Sequence, residues 1–183
     1  MTTIYLIRHG QAEAGWNTQL DPGLDDAGRR QAGQAARALA ERGPLPVIAS
    51  PMRRARETAA EFELIWQRPA TVDSRITEIP SPPGMTLNER GEWLKVLTKR
   101  NWSDLDSAIQ DWRRAAIDCL LAVAADTVVV SHFMVINAVM SWSSGDDRVV
   151  VCRPQPGSCT TLERSGAAFR AVGVAAQGAS RVL

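Results

Sequence analysis

Ile4-Tyr5-Leu6-Ile7, four β-favouring residues running without a break into Arg8-His9-Gly10, constrain this chain more than any other stretch. An apolar run of that kind reads as a strand covered on both faces, the pattern of a parallel sheet, and Gly10 lets the backbone turn tightly straight after it. A second β-like run, Pro46-Val47-Ile48-Ala49-Ser50, follows an alanine-rich helical segment and leads into another helix. Two β/α units in succession imply parallel strands joined by right-handed crossovers, which bring the strand ends to one edge of the sheet. The expected fold is therefore α/β, a three-layer α/β/α sandwich around a mostly parallel central sheet. Ligands bind at that edge in open sheets of this kind. The residues delivered there are Arg8 and His9 after the first strand and Arg53 and Arg54 after the second. His132, the only other histidine in the chain, follows a third apolar run, Thr127-Val128-Val129-Val130-Ser131.

Between these runs, Gln11 to Gly23 is a polar loop, and Asp25 or Asp26 caps a helix that continues to Arg42 and ends at Gly43-Pro44. Pro51 opens the helix bearing Arg53, Arg54, Arg56, Glu57 and Thr58. Thr71 to Ile76 reads as a further strand. Ile79-Pro80-Ser81-Pro82-Pro83-Gly84 can be neither helix nor central strand, so it is placed as a loop over the site. Helices are expected over Leu87–Arg100, Asp104–Ala124 and Phe133–Trp142. The second of these carries Leu105, Ile109, Trp112, Ala116 and Leu120 at helical spacing. Strands are expected over Arg148–Cys152, Ser158–Glu163 and Ala168–Val174, with turns at Pro154–Gly157 and Ser165-Gly166.

A length of 183 residues, 45% hydrophobic content and a net charge of +1 fit one globular domain, residues 1–183, with 78–105 as a small lid insertion. Arginine supplies 19 of the 21 basic residues, but acidic residues balance them and no basic run forms, so nucleic acid is not an expected partner. No apolar run approaches the ~20 residues needed to span a bilayer, and the first strand starts without a basic or apolar leader. A cytoplasmic protein with no membrane partner is expected. Cys119, Cys152 and Cys159 lack metal-ligand spacing, so neither a disulfide, a metal nor a cofactor is expected.

Taken together, Leu6-Ile7-Arg8-His9-Gly10, Leu24-Asp25-Asp26-Ala27-Gly28-Arg29-Arg30-Gln31-Ala32, Ser50-Pro51-Met52-Arg53-Arg54-Ala55-Arg56-Glu57-Thr58-Ala59 and Val129-Val130-Ser131-His132 resemble the histidine phosphatase superfamily, also called the phosphoglycerate-mutase-like family. Gly157-Ser158-Cys159-Thr160-Thr161-Leu162-Glu163 adds a weaker match. The resemblance implies phosphoryl transfer through a phosphohistidine, with His9 as nucleophile and Arg8, Arg54, His132 and Asn17 around the phosphate. It also implies a carboxylic acid as proton donor, and Glu78 stands at the matching position, with Glu13 and Asp21 as alternatives in the first loop. The chemistry agrees with the residue types: a neutral imidazole has a free lone pair near pH 7, and guanidinium groups present paired donors to phosphate oxygens. Phe133 stands where many members of the family have glycine, which makes the pocket wall bulkier. The expected function is hydrolysis of a phosphomonoester, with a phosphoglycerate-mutase-type phosphotransferase or a non-catalytic phospholigand-binding protein as alternatives. Whether the substrate is a small phosphorylated metabolite or a phosphoprotein, and the oligomeric state, are left open.

Overall fold

A computed structural model describes residues 1–15 and 18–174 of the chain. The opening apolar run forms β1 (Thr2–Arg8), in which Ile4, Leu6 and Ile7 are fully buried. It is followed by α1 (Asp26–Leu39), β2 (Val47–Ala49), α2 (Arg53–Trp66), β3 (Thr71–Val72), α3 (Leu87–Leu97), α4 (Ser107–Leu121), β4 (Thr127–Ser131), α5 (Phe133–Ser144), β5 (Cys159–Ser165) and β6 (Ala168–Val174). The six strands make one sheet in the order β3-β2-β4-β1-β5-β6. The pairs β3/β2, β2/β4 and β4/β1 are parallel, while β5 is antiparallel to both its neighbours, so β5 alone runs against the rest.

Side-chain alternation along the strands sorts the helices into two layers. Tyr5, Ile7, Val128 and Val130 meet Ala35, Ala36 and Leu39 of α1 and Ala55, Ala59 and Phe62 of α2. Ile4, Leu6 and Val129 face the other way, onto Ala116 and Leu120 of α4 and Val135, Ile136 and Val139 of α5. The α/β/α sandwich is thus what the buried runs require. A third apolar group gathers Ile79, Leu94, Leu97, Trp102 and Ile109 on Phe133, Met134 and Ala138, and this seats the 78–105 segment on the first turns of α5. Among the described residues no helix is long and apolar enough to cross a membrane.

Several expected boundaries move for identifiable reasons. The Thr71–Ile76 strand is cut to two residues, because Asp73 accepts from the Arg75 backbone N–H at 2.9 Å and caps a 3-10 turn over Ser74–Ile76. The fourth helix starts at Ser107 rather than Asp104, since the Asp106 side chain caps it by accepting from the Ile109 N–H. Residues 148–152 do not form a strand and contribute only an isolated bridge between Arg148 and Asn101. The donors a ladder would have used, the backbone N–H groups of Val151 and Cys152, go instead to Asn137 Oδ1 on α5, each at 2.9 Å. Asn137→Ala strands both donors, and is expected to cost about 2–4 kcal/mol of stability. The measurement is the urea midpoint, which should fall at an unchanged m-value.

Candidate active site

Register decides which side chains meet. Arg8 lies opposite Ser131 in the β1/β4 ladder, and the His9 N–H extends that pairing by donating to the Ser131 carbonyl at 2.9 Å. His9 and His132, one residue beyond each strand, are therefore neighbours, with ring centroids 5.1 Å apart. The backbone turns away immediately after His9. A Cβ on Gly10 would come within 2.3 Å of the Gly28 carbonyl oxygen, and one on Gly28 within 2.1 Å of the Gln11 carbonyl oxygen. Only a glycine pair allows this crossing over the first turn of α1. The same turn is fixed by Asp25, which caps α1 by accepting from the Gly28 N–H at 2.7 Å and accepts from Gln11 Nε2 at 2.9 Å.

His9 is only 4% exposed. Its Nδ1 donates to the Gly10 carbonyl at 2.7 Å, which leaves Nε2 with its lone pair, and that nitrogen accepts from Arg54 Nε at 3.1 Å. Burial, then the charges of Arg54 and Arg8, hold the His9 imidazole well below the usual histidine range, so it is neutral at pH 7. His132 is fully buried and its pKa is lowered for the same leading reason, burial, followed by Arg54. Its Nε2 shares a 2.7 Å hydrogen bond with Ser50 Oγ, and its Nδ1 has no hydrogen-bond partner among the described residues. His132 is also the N-cap residue of α5, so the positive end of that helix lies beside it.

Two guanidinium groups flank the histidines. Arg54, 2% exposed, sits on the first turn of α2 and reaches outward to Asp21, Nη1 to Oδ1 3.8 Å, whose side chain is half exposed. Arg53, its neighbour, turns the other way to Glu57 at 2.7 Å and Glu13 at 3.6 Å, so of the two only Arg54 reaches the histidine. Arg8 donates from Nη1 to the Pro154 carbonyl at 2.7 Å, and its guanidinium lies over the Phe133 ring, 5.3 Å from the centroid. Phe133 is thus a platform for a cation as well as a wall. Burial lowers Arg8 to about 10, against the pull of Glu78, and it remains charged at neutral pH.

Glu78 closes the group. Ser131 Oγ donates to the Ile76 carbonyl at 2.8 Å and Trp112 Nε1 to the Thr77 carbonyl at 3.2 Å, and these bonds hold the segment that presents it. Glu78 is 3% exposed, with Oε1 accepting from the Ile79 N–H at 3.0 Å and Oε2 without a hydrogen-bond partner among the described residues. Burial raises its pKa above the usual carboxylate range despite Arg54, Arg8 and Arg90, whose charges pull the other way. The two alternative carboxylates are differently placed. Asp21 accepts from the Arg53 N–H at 2.8 Å, and Glu13 from the Gly23 N–H at 3.1 Å, both on the outer side of Arg54 or Arg53.

His9, Arg8, Arg54, His132 and Glu78 are therefore brought together, and Asn17 lies outside the described residues. Two members of the site escaped the sequence reading. Ser50, which orients His132, was legible as the polar residue ending β2 beside a strand-end histidine. Arg90 on α3, whose charge is felt at Glu78, Arg54 and His132, was legible from the position it takes on the helix face.

This arrangement, a neutral nucleophilic imidazole among fixed cations with a buried carboxyl of raised pKa opposite, suits transfer of a phosphoryl group. Comparison with known proteins agrees. The sequence pattern of the histidine phosphatase superfamily (branch 1) matches residues 4–176. The chain is 39% identical over 169 residues to a glucosyl-3-phosphoglycerate phosphatase of Mycolicibacterium vanbaalenii, covering 87% of this chain and 71% of that protein. It is 30% identical over 157 residues to a bifunctional protein of Mycobacterium tuberculosis, covering 76% of this chain but 43% of that one. Among solved structures, a mycobacterial glucosyl-3-phosphoglycerate phosphatase complexed with VO3 superposes with a TM-score of 0.74 at 22% identity, over 94% of this chain and 98% of that one. At that identity the likeness carries the fold alone.

Proposed function

We propose that this chain, which belongs to the histidine phosphatase superfamily, hydrolyses small phosphomonoesters by passing the phosphoryl group through Nε2 of His9. The observation that carries this reading is the tautomer: the Gly10 carbonyl takes the Nδ1 proton, so the nitrogen facing Arg54 is the one with the lone pair. In the free enzyme that lone pair accepts from Arg54 Nε. An entering phosphate offers Arg54 a stronger, charged acceptor, which releases Nε2 for attack on phosphorus.

In the first step the N–P bond forms, the ester P–O bond breaks, and Glu78 gives its proton to the departing oxygen. Arg8, Arg54 and His132 Nδ1 hold the three non-bridging oxygens as their charge spreads. In the second step the Glu78 carboxylate takes a proton from water, the water oxygen bonds to phosphorus, and the N–P bond breaks, releasing inorganic phosphate and restoring both residues. The segment 78–105 serves as a lid seated on α5 through Phe133, and supplies Glu78 from its first residue. Localisation in the cytoplasm and action on a metabolite rather than a phosphoprotein belong to the same proposal. A pocket in which the nucleophile is 4% exposed favours a substrate slender at its phosphate end.

The same burial favours a second reading, a mutase that keeps the phosphohistidine dry and returns the phosphate to a sugar acid. One experiment separates them. The protein is incubated with a panel of phosphomonoesters, including glucosyl-3-phosphoglycerate, and separately with 3-phosphoglycerate and catalytic 2,3-bisphosphoglycerate, following free phosphate and isomer composition together. Net phosphate release is the expected result. Rapid isomerisation with negligible free phosphate establishes the mutase instead. Because the arginines provide the charge stabilisation, the released phosphate should be unchanged after exhaustive EDTA treatment. Loss of activity restored by an added divalent ion counts against the cation roles given to Arg8 and Arg54.

A further inference from the structure

The carbonyl that takes the proton of His9 Nδ1 belongs to Gly10, a residue with no side chain to restrain its own backbone. The other end of the same peptide unit is the Gln11 N–H, which donates to Oε1 of Gln31 on α1 at 2.8 Å. In a trans peptide the C=O and N–H point in opposite directions, so a bond that ties down the N–H also aims the carbonyl. Gln31 is thus joined to the imidazole through one rigid plane. Its own place is fixed as well. Gly157, with a φ of 74°, rests against it, since a Cβ there would come within 2.6 Å of Gln31 Cβ, and the Gly157 N–H donates to the Arg8 and His9 carbonyls at 3.0 and 3.2 Å. Gln11 is held to the same helix by Asp25, whose N–H donates to the Gln11 carbonyl at 3.1 Å and whose Oδ2 accepts from Gln11 Nε2 at 2.9 Å. On the preceding peptide, the Gly10 N–H donates to Thr58 Oγ1 at 3.1 Å. Both peptides flanking the Gly10 Cα are therefore anchored, one on α2 and one on α1.

Arg54 also favours a lone pair on His9 Nε2, but in the reaction proposed above it leaves that nitrogen for the entering phosphate. From that moment, among the described residues, the Gly10 carbonyl alone keeps the proton on Nδ1. A phosphate oxygen beside Nε2 otherwise draws the proton to that nitrogen, and the ring then has no lone pair with which to attack. As the N–P bond forms, the ring gains positive charge and its bond from Nδ1 to the carbonyl strengthens. We propose that Gln31 is a positioning residue for the reaction: by holding the peptide between Gly10 and Gln11, it keeps the lone pair on His9 Nε2 while phosphate is bound. This rests on the reading of His9 as nucleophile given above.

The test uses Gln31→Met, which has a similar length and no strong acceptor, Gln31→Ala, which keeps the Cβ beneath Gly157, and Gln31→Glu, which keeps an acceptor oxygen. With p-nitrophenyl phosphate as substrate, kcat/KM should fall about ten- to hundredfold in the first two, the loss expected when the group that orients a reactive imidazole is removed. Inhibition by inorganic phosphate, which reads Arg8 and Arg54, should keep nearly its wild-type affinity. Gln31→Glu should recover most of the rate. Ring nitrogen chemical shifts of His9, measured by NMR, read the cause directly. In the wild type the Nδ1-protonated form should persist when inorganic phosphate is added, whereas in Gln31→Met and Gln31→Ala the proton should redistribute to Nε2. An unchanged rate overturns the inference. A lower rate with an unchanged ring tautomer, or a loss that Gln31→Glu shares in full, also overturns it, because Gln31 then serves the fold alone. Failure of the nucleophile reading has a different signature: the tautomer shifts in the variants as expected, in a protein whose wild type neither releases phosphate nor retains an acid-labile adduct.

Discussion

Replacement of His9 by alanine is expected to lower phosphate release by at least about 10⁴-fold, the scale on which removal of a covalent nucleophile is felt. It should also abolish the acid-labile phosphate that the wild-type protein retains when quenched during turnover. Both effects follow from the position of Nε2. It is the only imidazole nitrogen in the pocket whose lone pair is fixed by a donor bond at the other end of the ring, and it faces a guanidinium that a phosphate can take over. His132 has no comparable constraint, since its Nε2 is engaged with Ser50 and its Nδ1 has no partner among the described residues. His132→Ala should therefore lose transition-state stabilisation, about 3–4 kcal/mol for an oxyanion partner, while still forming the labile adduct. The substitution at position 9 removes a buried neutral ring, so folding must be checked alongside by circular dichroism. A folded His9→Ala protein that keeps its turnover rules out the covalent route through His9, and a labile adduct that persists in His9→Ala but is lost in His132→Ala reverses the roles of the two histidines.

How much of this could be read without coordinates depends on whether the signal was local. The strands β1, β2 and β4 announced themselves because a sheet covered on both faces needs unbroken apolar runs, and right-handed crossovers then leave little choice about where Arg8, His9, Arg54 and His132 end up. The β6 limits agree with the reading from sequence for the same kind of reason, a hairpin with Gly166 at its turn and a positive φ of 58°. The Arg148–Cys152 segment has an equally β-like composition and forms no strand, because its donors are captured by Asn137, a residue on another element with no local trace in that segment. Arg53 and Arg54 illustrate the same limit within the site. Both follow β2, and strand and helix patterning alone do not separate them, although the family resemblance singles out Arg54; Glu57 one turn later and Glu13 across the loop claim Arg53 and leave Arg54 to the histidine. Arg90 lay in plain view as a charged residue on an apolar helix face. Its bearing on the site depends on tertiary packing, since Leu94 and Leu97 of α3 share one apolar cluster with Phe133 of α5, a relation with no local trace in the sequence.

Glu78→Gln should reduce hydrolysis of alkyl phosphates by about 10²–10⁴-fold, the usual contribution of a general acid. An ester whose leaving group is already a stable anion, such as p-nitrophenyl phosphate, should lose much less, because its departure needs no proton. The pH dependence supplies an independent check. Glu78 must carry its proton, and since burial raises its pKa, activity is kept above the ordinary carboxylate range and is lost as pH rises through the raised value. His9 must be neutral, and its pKa is held well below 6.5, so the acid limb is displaced far to the acid side. The wild-type kcat/KM profile is then a bell whose alkaline limb belongs to Glu78, and Glu78→Gln should lack that limb. Stability moves in the opposite direction. A carboxyl whose pKa is higher folded than unfolded binds its proton more tightly in the native state, so folding weakens as pH rises from the unfolded value through the folded one. Glutamine escapes that cost and can still accept from the Ile79 N–H through its amide oxygen. Glu78→Gln is therefore expected to melt higher than the wild type above the raised pKa while turning over far more slowly. A variant that is both slower and less stable indicates a structural role for Glu78. An alkaline limb that persists in it, and disappears in Asp21→Asn or Glu13→Gln, transfers the proton-donating role to the first loop.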